Sequence, residues 1–133
     1  MSFAPLLPAA FYQLLKKRGV TLIEAPAGIP AAGDRLKRIE EFFGAVRSRC
    51  DTLSLARMKS PGGWSEPGQT PDFDEYTLVL KGHLRVKTRT GALDVKAGQA
   101  VLVTRGEWVQ YSTPAAEGAD YVAVCVPAFT PAR

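Results

Sequence analysis

The 133-residue sequence holds a single histidine, His83, and that scarcity argues against serine–histidine catalysis and against an imidazole-ligated metal. A serine nucleophile has only His83 to serve as its base, so no serine–histidine pair with a supporting relay can be assembled around any other position. Cysteine is almost as scarce. Cys50 and Cys125 lie far apart without CxxC spacing, which argues against a zinc knuckle or a dithiol redox centre and leaves buried, inert thiols as the reading. GxGxxG and GxxxxGK[ST] are both missing, so no phosphate-cradling loop of either type is present. No apolar run reaches membrane-spanning length. In MSFAPLLPAAFYQLLKKRG the positive charges follow the apolar part, and Pro5 and Pro8 interrupt it, which is the wrong order for a secretory signal. A cytoplasmic protein with no membrane partner is expected.

The composition, 46% hydrophobic and 23% charged, suits one domain with one adequate core. Seventeen Lys and Arg against thirteen Asp and Glu give a net charge of +4, but the basic residues are scattered as KKR at 16–18, RLKR at 35–38 and RSR at 47–49. Nucleic-acid binding calls for one basic stripe interleaved with stacking aromatics, so these clusters read as solvated surface and no nucleic-acid partner is expected.

Pro8 followed by AAFYQLLKKRG predicts a short helix, with Phe11, Leu14 and Leu15 on one stripe and Gly19 as its stop. VTLIEAP at 20–26 has strand composition, and APAGIPAAGD at 25–34 is a connection. RLKRIEEFFGAV at 35–46 fits a helical stripe through Leu36, Ile39, Phe43 and Val46 and also a strand alternation through Ile39, Glu41 and Phe43; strand is the reading. From Thr52 onward every segment is β: TLSLARMK, EYTLVLKGHLRVKT, ALDVKAG, QAVLVTRG, EWVQYST and DYVAVCVPAF, punctuated by Gly and Pro, as in an antiparallel sandwich or barrel. TLVL and YVAVCV are apolar on both faces, as expected where one face looks into a barrel and the other meets a second layer or a partner subunit.

Within this pattern Glu75 is followed by YTLVLK and then Gly82, and Gly98 and Gly106 precede a strand ending YSTP. The spacing over residues 50–128 resembles the two motifs of the cupin superfamily, although Thr104 stands where proline is usual. FDEYTLVLKG, the histidine-free second motif and the final strand DYVAVCVPAF are similar to the ethanolamine-utilisation cupins, which also lack the histidine triad. The resemblance implies an all-β cupin (double-stranded β-helix, or jelly-roll barrel) with a short N-terminal helix. Residues 1–49 are then an extension packing on the barrel and residues 50–133 the barrel itself, one domain overall. It also implies a homodimer, since small cupins commonly pair through the extension layer.

Carried over residue by residue, the cupin metal site becomes Gln69 and Pro71 at the two histidines of the first motif, Glu75 at the carboxylate and Val109 at the histidine of the second. One strong ligand remains where three or four converging donors are needed, so no metal cofactor is expected. His83 is expected on the surface. Glu66, with Asp72 or Asp74, can in principle join Glu75 in an oxygen-rich site for a divalent ion.

Glu75 faces the expected interior, where a carboxyl without a partner is costly to ionise and is a natural acid or base. The alternative is that Glu75 merely bonds loop backbone or pairs with an arginine such as Arg57. Gln69 can orient a ligand or cap its own turn, Tyr111 can wall a pocket or bond backbone, and Trp64 can close the pocket mouth or anchor its loop. The expected function is binding of a small polar metabolite by Trp64, Glu66, Gln69, Glu75 and Tyr111, with Glu75 as the catalytic residue of any turnover. The alternatives are an isomerase, lyase or transferase acting on a small acid or sugar with a divalent ion at Glu66 and Glu75, and a purely structural or regulatory module whose barrel is packed shut.

Overall fold

A computed structural model describes residues 15–131. Eleven strands run through them: β1 (Leu15–Lys17), β2 (Val20–Leu22), β3 (Ala27–Ile29), β4 (Arg38–Phe43), β5 (Ser54–Ser60), β6 (Trp64–Ser65), β7 (Asp74–Thr88), β8 (Gly91–Lys96), β9 (Ala100–Val103), β10 (Val109–Thr113) and β11 (Ala119–Val126). Among the described residues there is no helix. The helix expected after Pro8 is corrected at its end: Leu15–Lys17 is a strand, paired with Val20–Leu22 in a hairpin whose two-residue turn needs the left-handed backbone of Gly19, φ 74°. Gly19 makes a hairpin turn instead of stopping a helix. The earlier part of that expected helix lies outside the described residues.

The β1–β2 hairpin is a sheet of its own, and the other nine strands form one antiparallel sheet that curls around β7. Residues 74–82 of β7 pair with β11 and β9, and residues 83–88 pair with β8 and β10, so this fifteen-residue strand serves both sides of the barrel. Gly82 stands at the changeover with φ 71°, and a Cβ there would run into the carbonyl of Gly118, so both the backbone angle and the close approach demand glycine.

The ambiguous segment 35–46 is strand where it is ordered into the sheet. Leu36 and Val46, which a helical stripe would bury, are exposed, whereas β4 pairs with β5 along its length and β3 pairs with β4. Strands β3 and β4 of the extension are therefore hydrogen-bonded into the barrel's own sheet, whereas β1 and β2 pair only with each other. Inside, Trp64, Val79, Leu84, Val86, Val95, Val103, Val109, Tyr111, Ala119 and Tyr121 form one buried cluster. Their burial follows alternation: in β11 from Tyr121 onward, Tyr121, Ala123 and Cys125 are buried while Val122, Val124 and Val126 are only partly covered. On the outside, Tyr76, Leu78, Leu80 and Leu102 remain exposed, so the outer face of TLVL is not covered by any described residue of the chain.

Candidate functional site

The alternation that buries Thr77 and Val79 also turns Glu75 inward, toward a cavity of about 140 Å³. Strands β4, β5, β7, β10 and β11 and the connections around them supply its walls. Glu66, Gln69, Glu75 and Tyr111 line it together, joined by Lys37, Thr77 and Tyr121 as further polar groups and by an apolar lining that includes Ile39, Met58, Phe73 and Phe129. Gln69 is exposed at its edge, held by reciprocal backbone hydrogen bonds with Val109 of 3.0 and 2.8 Å.

Tyr111 donates its hydroxyl hydrogen to Glu75 Oε1 over 3.2 Å. Burial pushes the Glu75 carboxyl above its usual range, against the opposing pull of the Lys37 ammonium and the Tyr111 hydrogen bond. Glu75 is half-buried and lines the cavity. Glu66 is pushed up to about 7, first by burial and then by the neighbouring Glu75 charge, with Lys37 again acting in the opposite direction. The Tyr111 hydroxyl and the Cys125 thiol, both buried and both near the Glu75 charge, are raised and stay protonated. Cys125, directly opposite Glu75 across the β7–β11 pair, is thus a poor nucleophile.

Lys37 is the residue that sequence reasoning missed. It sits in RLKR, a cluster read as solvated, yet it is only 5% exposed. Its ammonium lies 4.1 Å from the centre of the Trp64 ring and 5.3 Å from that of Tyr121. Cation–π attraction of this kind is worth roughly 2 kcal/mol when the charge is shielded from water. No local pattern announces it, because the two rings come from segments far away in the chain. Trp64 itself is 1% exposed, donates its indole N–H to the Ala32 carbonyl over 3.3 Å and does not line the cavity; it supports Lys37 from behind.

Other expectations change with the geometry. Arg57 does not approach Glu75; it faces outward and pairs with Asp120 at 2.7 Å. Asp74, one residue from Glu75, points away from the cavity and accepts from the Arg105 backbone N–H over 2.8 Å, and Asp72 is exposed. Neither can join a metal site at Glu75. Among the described residues no group of three or more His, Cys, Asp and Glu side chains converges as a metal site requires, and the Lys37 ammonium in the same cavity repels a cation. Glu66 and Glu75 are the only carboxyls among the described residues that line the cavity. His83 is partly exposed, 4.0 Å from Asp94 and 3.9 Å from Glu117, outside the cavity lining.

No profile of a known protein family matches the chain. Over 95 residues, 71% of this chain, it is 46% identical to endoribonuclease YbeY of Myxococcus xanthus strain DK1622; the matched region is 32% of that protein, so the chain spans about a third of this curated relative. The structure of an ethanolamine utilization protein Q from Salmonella typhimurium LT2 matches with a TM-score of 0.70 at 19% identity, covering 96% of each chain. That of a predicted oxalate decarboxylase from Thermotoga maritima matches with a TM-score of 0.65 at 19% identity, over 77% of this chain and 92% of that one. At such identities the likeness is one of fold, and the chain has the fold of the cupin superfamily, similar to that of ethanolamine utilization protein Q.

Proposed function

We propose that this protein binds a small polar metabolite inside its barrel without a metal cofactor, through Lys37, Glu66, Gln69, Glu75 and Tyr111. The observation that carries this reading is the convergence of two carboxyls, an ammonium and a tyrosine hydroxyl on one cavity among otherwise apolar walls. Apolar walls with a few converging polar groups are the usual composition of a ligand site, and buried ionisable groups are costly to keep without one. A volume of about 140 Å³ matches a guest the size of benzene, so a nucleotide would not be enclosed. The endoribonuclease activity in the name of the Myxococcus protein is accordingly no part of this proposal.

The same groups are equipped for proton transfer. Glu66 exchanges its proton near neutral pH, where a general acid or base works best. Glu75, assigned that role from the sequence, shares it, and its hydrogen bond from Tyr111 fixes the carboxyl toward the guest. Isomerisation or elimination on a small substrate is the reaction type this pair would serve.

A thermal-shift panel of small acids, amines, amino acids, amino alcohols and sugars tests the reading. A native-state binder at a hundred times its Kd adds about 2.7 kcal/mol, a rise of roughly 10 °C for a chain of this size. The expected result is such a rise for one compound class, lost in Glu75→Gln. No response to any compound, or a response unaffected in both Glu75→Gln and Glu66→Gln, contradicts it.

A further inference from the structure

We infer that the guest is a compact zwitterion, a short amino acid whose carboxylate is held by Lys37 and whose ammonium is held by Glu66, Glu75 and the Thr77 hydroxyl. This rests on the reading of the cavity as a ligand site and names the chemistry that the site recognises.

The argument begins with a pairing that is not made. Lys37 and the two carboxyls line the same cavity, yet Lys37 forms no ion pair with either within 4 Å; among the described residues its ammonium is held by the faces of Trp64 and Tyr121 alone. Ring faces attract the charge but accept none of its hydrogen bonds in the strong sense, so the ammonium lines the cavity without a hydrogen-bond acceptor among the described residues. A buried ammonium and buried carboxyls usually close on one another, because each alone is expensive to hold. Here the opposite charges feel each other across the space, as the effect of Lys37 on both carboxyls shows, without touching.

A second, independent observation lies on the acidic wall. Thr77 follows Glu75 by two residues on β7 and faces the same way, and its Oγ1 is buried with no hydrogen-bond partner among the described residues. An orphaned buried hydroxyl costs about 1–3 kcal/mol. Beside Glu75 it offers an oxygen to the N–H donors of an ammonium, so the cavity presents acceptors at Glu66, Glu75 and Thr77 and, more than 4 Å from either carboxyl, donors at Lys37.

Guest classes can then be compared by charge. A simple anion gains Lys37 but meets two acids. A simple cation gains the acids but meets Lys37. A neutral polyol hydrogen-bonds to all of them and supplies no countercharge to any. Only a molecule carrying both signs gives each wall its counterion and stays neutral overall, which avoids bringing a net charge into the barrel. The benzene-like volume limits it to about five to eight heavy atoms, and Ile39, Met58, Phe73 and Phe129 suit a short aliphatic skeleton between the charged ends.

Calorimetric titration of the full chain at pH 8 with glycine, alanine, β-alanine and γ-aminobutyrate tests the inference against matched acids (acetate, propionate), matched amines (ethylamine, ethanolamine) and neutral lactamide. At least one amino acid should bind roughly tenfold or more tightly than its matched acid and its matched amine, a difference of about 1.4 kcal/mol. Lys37→Met keeps an unbranched side chain against Trp64 and removes the charge. In that variant the advantage of the amino acid over the matched amine should disappear, while the amine itself binds as well as before or better. An acid, amine or neutral compound that binds the unmodified chain as tightly as every amino acid overturns the zwitterion and leaves the pocket reading standing. Silence from every class overturns both. The comparison within the unmodified chain decides the matter even if Lys37→Met fails to fold.

Discussion

Replacing Trp64 by alanine is expected to cost about 3–5 kcal/mol of stability, the usual range for truncating a buried aromatic side chain. The side chain is 1% exposed and sits in the central cluster with Val79, Leu84, Val86, Val109 and Tyr121, so its removal leaves a void that neighbouring strands, fixed by their ladders, cannot refill. It also strips Lys37 of its nearer ring, which lies 4.1 Å from the ammonium, and leaves the Ala32 carbonyl without its indole donor. Domains of this size have a total stability of about 5–15 kcal/mol, so the substitution should remove a large fraction of it. Trp64→Phe, which keeps a ring over the core and beneath Lys37, should lose far less. Chemical denaturation of the three proteins measures the difference; an unfolding midpoint for Trp64→Ala equal to that of the parent would show that the indole is not part of the core.

Glu66→Gln is expected to have the opposite sign at alkaline pH: it should stabilise the fold. A carboxyl that titrates at 4.5 when free and about 7 in the folded chain keeps its proton on folding between those two values. The folded state then holds more protons than the unfolded one, so stability falls as pH rises from about 4.5 to about 7 and is flat above. The whole effect is on the order of 3 kcal/mol before relaxation and water entry reduce it. Glutamine has the shape of the neutral acid and never ionises. Below pH 4.5 parent and variant should therefore have similar stability, and by pH 8 the variant should be ahead by about 1–3 kcal/mol. Denaturation midpoints across this range test it, and equal pH profiles for the two proteins would mean that Glu66 is solvated like a surface acid. Stability given up at neutral pH for an ionisable group in a cavity is what a binding or catalytic role leads one to expect.

The parts of this picture that the sequence revealed are those governed by local pattern. Period-two alternation put Glu75 on the same face as Thr77 and Val79, and Tyr111 on the same face as Val109 and Thr113, and the barrel brings the two strands together so that Tyr111 bonds Glu75. The Glu75–Gly82 spacing was informative because Gly82 has to bend β7 against the Gly118 carbonyl. What sequence left hidden depends on contacts between distant segments. Lys37 in RLKR has the look of solvent-facing charge until Trp64 and Tyr121 close over it. Arg57, a candidate partner for Glu75 by chemistry, faces the other side of β5 and meets Asp120 there. The terminal KKRG, which has the composition of a helix end, is equally good as a hairpin once Gly19 takes a left-handed angle. Trp64 could be assigned to the pocket or to the core on composition alone, and only its burial distinguishes them.

Equilibrium dialysis of tag-free protein against manganese(II), followed by elemental analysis, asks most directly whether the cavity receives an organic guest or a cation. With the Lys37 ammonium inside it and, among the described residues, only Glu66 and Glu75 as acids, no stoichiometric ion should be retained, and Glu75→Ala should give the same result as the parent chain. One bound equivalent in the parent chain that disappears in Glu75→Ala would contradict the account.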